Sequence, residues 1–385
     1  QSYTLTANGI RDAEGNTAGN LQASFIYYDI QPAVPGDLII SELMPDPNPS
    51  VALPEAEYLE IYNRSEKVID LADVQIASGS SPEQLPEYLL LPGAYVAVCD
   101  EAFAGAFAGG GPTIGVNSFP SLSNGADEAT LLDEDGNTLF TVAYTDDWYQ
   151  VEDRADGGYS LELIRLEGPY GCPGNWRASA SPAGGTPGLE NSLLGAALDS
   201  VPPTVTRVAP ESSMEVRVQF SEIMDANTLA DAEAYTLTPG IPVLDVLTQP
   251  GGRTVLLLLD GALAAGEAYS LSFSTSLTDC IGNPMAAQAF PIGLPEPAAA
   301  GDILINEILF NPGTGGNDFV ELFNNSDKII DLAGLQMLNR LKMTGDTEGS
   351  VEDNLLIFPG DYLVLTEDPA DILARYAVPN PGRLL

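Results

Sequence analysis

The sequence predicts an all-β protein, an elongated string of tandem immunoglobulin-like β-sandwiches. Three observations predict it. Short runs alternate apolar and polar residues with period 2; Gly, Pro and Asn punctuate those runs; and one long internal repeat organises the chain. GDLIISELMPDPNP (36–49) and EYLEIYNRSEKVIDLADVQI (57–76) return as GDILINEILFNPGT (301–314) and DFVELFNNSDKIIDLAGLQM (318–337). LLLPGAYVAVCDEA (89–102) is answered by LLIFPGDYLVLTEDP (355–369). A period of about 265 residues far exceeds a solenoid repeat, so each unit should hold whole domains.

Residues 1–30 read as two strands joined by a turn, and they answer YSLSFSTSLTDCIGNPMAAQAFPI at 269–292. The turn holds Asp12, Gly15 and Asn16 in one copy and Asp279, Gly282 and Asn283 in the other. Asp and Asn bond their own backbone and Gly tolerates positive φ, so a turn explains the spacing. A calcium site is the functional alternative. After a Pro-rich joint at 31–36, EYLEIYN points Leu59 and Ile61 one way and Tyr58, Glu60 and Tyr62 the other. In the second copy Phe319, Glu321 and Phe323 take that other face. If the face is buried, its carboxylate needs partners, because an unpaired buried charge is costly. Those partners are backbone N–H groups or an Arg; a metal shared with Glu42 or Glu307 is the other reading.

Asp133-x-Asp135-Gly136 has only part of a calcium-loop pattern, and Asp135-Gly136-Asn137 between apolar runs is more simply a hairpin turn. The loop TDDWYQVEDRADGG (145–158) is more open to function. It sets Asp146, Asp147, Asp153 and Asp156 around Trp148 and Tyr149, oxygen ligands of the kind calcium takes. The bland reading is a solvated loop whose aromatics fold back on the sandwich. Past a joint at 190–203, Met214, Val216, Val218 and Phe220 alternate as a half-buried strand should. Roughly seven short strands over 203–293 are the number an immunoglobulin-like sandwich requires. GLPEPAAA (293–300) is the next joint.

Composition narrows the function. Fourteen Lys and Arg face 55 Asp and Glu, a formal net charge of −41, so the chain repels phosphate backbones and anionic membrane surfaces. The acidity reads as a self-repelling exterior or as a set of divalent-cation sites, calcium being the expected ion. There is no histidine, which removes Ser-His-Asp and Cys-His catalysis and HExxH zinc sites together. No run approaches the roughly 18 apolar residues of a membrane span. QSYTLTANGI already reads as strand, so the chain is expected to be part of something longer.

The strands holding Glu42 and Glu307, the EYLEIYN and DFVELFN strands and the IDLA turns resemble the lamin tail domain, an immunoglobulin-like β-sandwich. The bacterial form, of Bacteroidetes type, is the nearer one. FPSLSNGADEATLLDEDGNTLFTVAY (119–144), GGYSLELI (157–164) and the closing run NWRASASPAGGTPGLENS (175–192) extend that resemblance over about 36–191. The second copy, 301–385, reads as incomplete because it reaches no such closing run. The resemblance also implies a Cys99–Cys172 disulfide in an oxidising, exported setting, leaving Cys280 as a plain small residue. VQFSEIMDANTL and DCIGNPM are similar to bacterial Ig-like domains of surface-layer and adhesin proteins.

The layout expected is the end of an Ig-like domain (1–30), a lamin-tail-like domain (36–191), an Ig-like domain (203–293) and the start of a second lamin-tail-like domain (301–385). Its expected role is that of a non-enzymatic extracellular stalk, filament or surface-layer segment. Its partners are then other copies of itself or cell-surface proteins and glycans, with no nucleic acid and no membrane insertion. The alternative is an accessory region of a larger secreted nuclease, phosphatase or other hydrolase.

Overall fold

Alternation in the 36–63 stretch produces two antiparallel strands, Leu38–Met44 and Tyr58–Asn63, at the centre of a six-stranded sheet. The computed structural model of the chain describes residues 2–79, 81–107, 109–337, 349–350, 355–378 and 384. Parts of the expected second lamin-tail copy, 338–348, 351–354, 379–383 and 385, lie outside the described residues. Two units result, 1–199 and 200–385.

In the first unit the hairpin Ser2–Ala7 and Leu21–Ile26 precedes a two-layer sandwich. One layer runs Thr113–Val116, Tyr95–Asp100, Tyr58–Asn63, Leu38–Met44, Leu161–Leu163, Trp176–Ala178 in spatial order. The other runs Thr138–Thr145, Ala126–Asp133, Val74–Ser78, Glu83–Gln84. Leu59 and Ile61 point into the space between layers, where Val96, Leu131, Val142 and Trp176 meet them in one core. Their neighbours Tyr58 and Glu60 point to the opposite face, yet both are fully buried. The six-stranded layer is therefore covered on two sides, by the second layer on one and by loop on the other.

The expected turns form as turns. Asp12 accepts from the backbone N–H groups of Glu14 and Asn16 and from the Asn16 amide, with Gly15 at φ +88°. Asp133 with Asn137 and Asp279 with Asn283 repeat the arrangement. Each carboxylate is taken up by its own loop.

The joint between strand and next element is duplicated as well. The Asn63 amide donates to the carbonyls of Lys67 (2.8 Å) and Leu90 (2.9 Å), while its oxygen accepts from the N–H and hydroxyl of Ser65. Asn324 does the same with Lys328, Ile357 and Ser326. Lys67 pairs with Asp37 at 2.6 Å and Lys328 with Asp302 at 2.8 Å.

The second unit begins with a four-stranded sheet, Val205–Ser212, Glu215–Phe220, Thr254–Leu259, Val243–Thr248, facing a three-stranded one, Tyr235–Thr238, Tyr269–Phe273, Gln288–Ile292. These are the seven strands expected. Val216, Val218 and Phe220 enter the core while Met214 stays about half exposed. The second copy follows as Ile303–Leu309, Phe319–Asn324 and Tyr362–Thr366, then a helix Pro369–Arg375 capped by Asp368. No helix among the described residues is long and apolar enough to cross a membrane.

The disulfide expectation is corrected. Cys99 is a free, buried thiol, pushed up to about 11 by burial and the neighbouring Asp100. With Cys99 free, the expected Cys99–Cys172 pair does not form. The sheet order gives the reason for Cys99. Its strand lies four places from Trp176–Ala178, the strand just after Cys172. At ~4.8 Å per strand that is about 19 Å, well beyond the ~7 Å reach of a disulfide between Cα atoms.

Candidate functional site

Three glutamates stand side by side across three adjacent strands: Glu60 opposite Glu42, and Glu42 opposite Glu162. A register shift at Ser41 turns the Leu38–Met44 strand so that Glu42 falls in line with Glu60. All three are fully buried, under a strap formed by the closing run at 179–193. Like charges directly opposite one another are unfavourable, and burial makes them more so.

The hydrogen bonds show what holds them. From the sheet, Ser41 Oγ donates to Glu60 Oε1 (2.6 Å), while Tyr58 OH (2.7 Å) and Ser160 Oγ (2.5 Å) donate to Glu42 Oε1. From the strap, Thr186 N–H donates to Glu42 Oε1 (2.8 Å) and Gly188 N–H to Glu60 Oε2 (2.8 Å). Ser179 Oγ (2.5 Å), Ser192 Oγ (2.7 Å) and Leu193 N–H (3.0 Å) donate to Glu162. The strap is fixed further by Asn191, whose amide donates to the carbonyls of Ser41 and Leu163. No Lys or Arg comes within ion-pair distance of any of the three among the described residues. Burial first, then the charge of Glu162, pushes the Glu42 carboxyl up to about 7. Burial and the charge of Glu42 push Glu60 well above the usual range.

Sequence reasoning found Glu42 and Glu60 and their need for partners; the partners are hydroxyls and backbone N–H groups, with no Arg. It missed Glu162. The signal was present, since LEL at 161–163 repeats the apolar–Glu–apolar pattern of LEI at 59–61.

In the second copy Glu307 again lies opposite Glu321, with the register shifted at Asn306. Asn306 donates to Glu321 Oε1 at 2.6 Å, as Ser41 does to Glu60. Here the face is open. Glu307 is exposed and Glu321 partly so, and among the described residues Ile303–Leu309 has Phe319–Asn324 as its only sheet neighbour. Ile305 is 60% and Phe310 82% exposed, where the first copy buries Ile40 completely and sets its strand against Leu161–Leu163.

The acidic loop folds as its bland reading said for the aromatics. Trp148 and Tyr149 are buried, with the Trp148 ring 5.9 Å from that of Trp176. Asp146, Asp147, Asp153 and Asp156 are all exposed.

The lamin tail domain family model matches residues 31–146 and 296–378, together more than half of the chain. The chain belongs to the lamin tail domain family. A bacterial Ig-like domain model matches 199–291 between the two lamin-tail stretches. The first lamin-tail match ends at 146, ahead of the strand with Glu162 and of the strap.

No curated protein matches the chain. Among solved structures the chain is similar to surface layer protein SbsC, domains 1–6, at 17% identity, covering 42% of this chain and 26% of that one, with a TM-score of 0.24. The N-terminal part of the bacterial S-layer protein SbsC gives 18% identity, 42% and 45% coverage and a TM-score of 0.23. The chain spans less than half the length of either, and likeness at that level does not extend to function.

Proposed function

We propose that this lamin tail domain chain is a non-enzymatic structural segment of a bacterial extracellular or cell-surface assembly, a spacer that joins neighbours through exposed sheet edges. The observation that carries this reading is the Ile303–Leu309 strand. Among the described residues it is paired on one side only, with Leu304, Ile305 and Ile308 exposed, and such an edge is a template for strand addition. A second copy of the chain, or another surface protein, supplies the added strand. The buried glutamates support the non-catalytic reading: carboxyls with raised proton affinity suit acid–base chemistry only where a substrate reaches them. These are sealed on both sides.

Sedimentation across a concentration series tests the edge. The wild-type chain should self-associate as concentration rises, and Ile305→Lys, placing a charge on the edge, should shift it to monomer. A wild-type chain that stays monomeric throughout would sink the reading.

Calcium is proposed as a stabiliser of this acidic chain. With a formal charge of −41, ion binding to the folded state relieves self-repulsion and adds linkage free energy. The melting temperature should rise by several degrees in excess calcium over chelator at matched ionic strength. Identical curves would count against it.

A further inference from the structure

Hydrogen bookkeeping around Thr186 leads past an assembly role. Thr186 Oγ1 lies 3.2 Å from Glu42 Oε2 and 3.0 Å from Glu162 Oε1. A hydroxyl carries one hydrogen, so it donates fully to only one of these oxygens. Glu162 Oε1 receives it in the shorter contact. The longer contact is a full hydrogen bond in its own right when a proton resides on Glu42 Oε2 and is donated to Thr186. The other Glu42 oxygen already accepts from Tyr58, Ser160 and the Thr186 N–H. The chain of donors runs from Glu42 through Thr186 to Glu162, and Thr186 belongs to the strap.

We propose that Glu42, Glu60 and Glu162 form a proton-held latch. With a proton on Glu42 the ladder clamps the strap at 179–193 over the sheet; losing that proton releases the strap and uncovers the glutamate face.

Every element packed on the ladder fits this behaviour. Tyr58 on the Glu60 strand is a neutral donor, and burial beside Glu42 keeps its phenol protonated. Tyr95, on the strand beyond, is kept neutral by burial first, then by Tyr62 and by the charges of Glu60 and of Glu190 from the strap. Arg177 is the cross-strand neighbour of Glu162 but sends its guanidinium to the Ala197 carbonyl at 3.1 Å. Arg154 donates to the Ser179 carbonyl at 2.6 Å. Neither cation neutralises the ladder, so a proton must. In the second copy Asn306 donates to Glu321 as Ser41 does to Glu60.

The sign follows from the raised proton affinity of Glu42. Its contribution is complete below the ordinary glutamate range, where folded and unfolded chains are both protonated, and it is lost as pH rises through about 7. The test is hydrogen exchange of the Gly188 and Leu193 amides in the full chain, corrected for intrinsic rates, from pH 6 to pH 8.5. Their protection should fall by about tenfold in the wild type, the loss expected for one carboxyl crossing its folded pKa. Glu42→Gln, which cannot ionise, should remove that dependence and stay protected at pH 8.5. Equal pH profiles for wild type and Glu42→Gln, or protection that grows with pH, would overturn the latch. If Glu42→Gln does not fold, the infrared band of a protonated carboxyl decides. It should be present in the wild type at pH 6 and bleach by pH 8.5, and a spectrum with no such band overturns the proposal.

Discussion

Asn63→Ala should destabilise the first lamin-tail domain by about 2–4 kcal/mol in denaturant unfolding, because buried carbonyls left without donors cost ~1–3 kcal/mol each. The substitution removes both amide donors, to the carbonyls of Lys67 and Leu90, and the oxygen that holds the Ser65 turn. It thereby loosens Lys67, whose ion pair with Asp37 ties the entry of the domain to this turn. Asn63→Asp separates the two functions of the side chain. It keeps an acceptor for Ser65, loses the donors and should fall nearly as far. A cost below about 0.5 kcal/mol for Asn63→Ala, the range of an ordinary surface change, would contradict this account.

Trp176→Ala should cost about 3–5 kcal/mol, the range for deleting a large buried aromatic. Trp176 is fully buried, its ring 5.9 Å from Trp148 and its Nε1–H donating to the Tyr170 carbonyl at 2.7 Å. Its strand is the last of the six and leads directly into the strap. The loss should therefore also raise protease cleavage within 179–193 under native conditions. Trp176→Phe keeps most of the contact, forfeits the hydrogen bond and should cost less than half as much. Equal losses for Ala and Phe would mean that the hydrogen bond, not the packing, holds this edge.

The two copies show how far sequence carries. Alternation in LEIYN and VELFN reported the strands, and the D-x-x-G-N spacings reported the turns, because both depend on residues within a few positions of each other. The acidic loop separated along the same line. Burial of Trp148 and Tyr149 was open to sequence reasoning as one of two readings. What they pack against was not, since Trp176 lies almost thirty residues on.

Cys99 shows the opposite limit. The family resemblance suggested its partner, but sheet order decides which cysteines can meet, and order is set by non-local pairing. The glutamates are the sharper instance. Sequence alone determined an acidic, histidine-free all-β chain with a long repeat, and it placed one Glu on a suspect face in each copy. Only the tertiary structure decided that Glu42, Glu60 and Glu162 share one buried ladder. The physical reason is that a strand fixes only the direction of a side chain, by its period of two. Whether that direction ends in water or under a strap depends on a segment more than a hundred residues away.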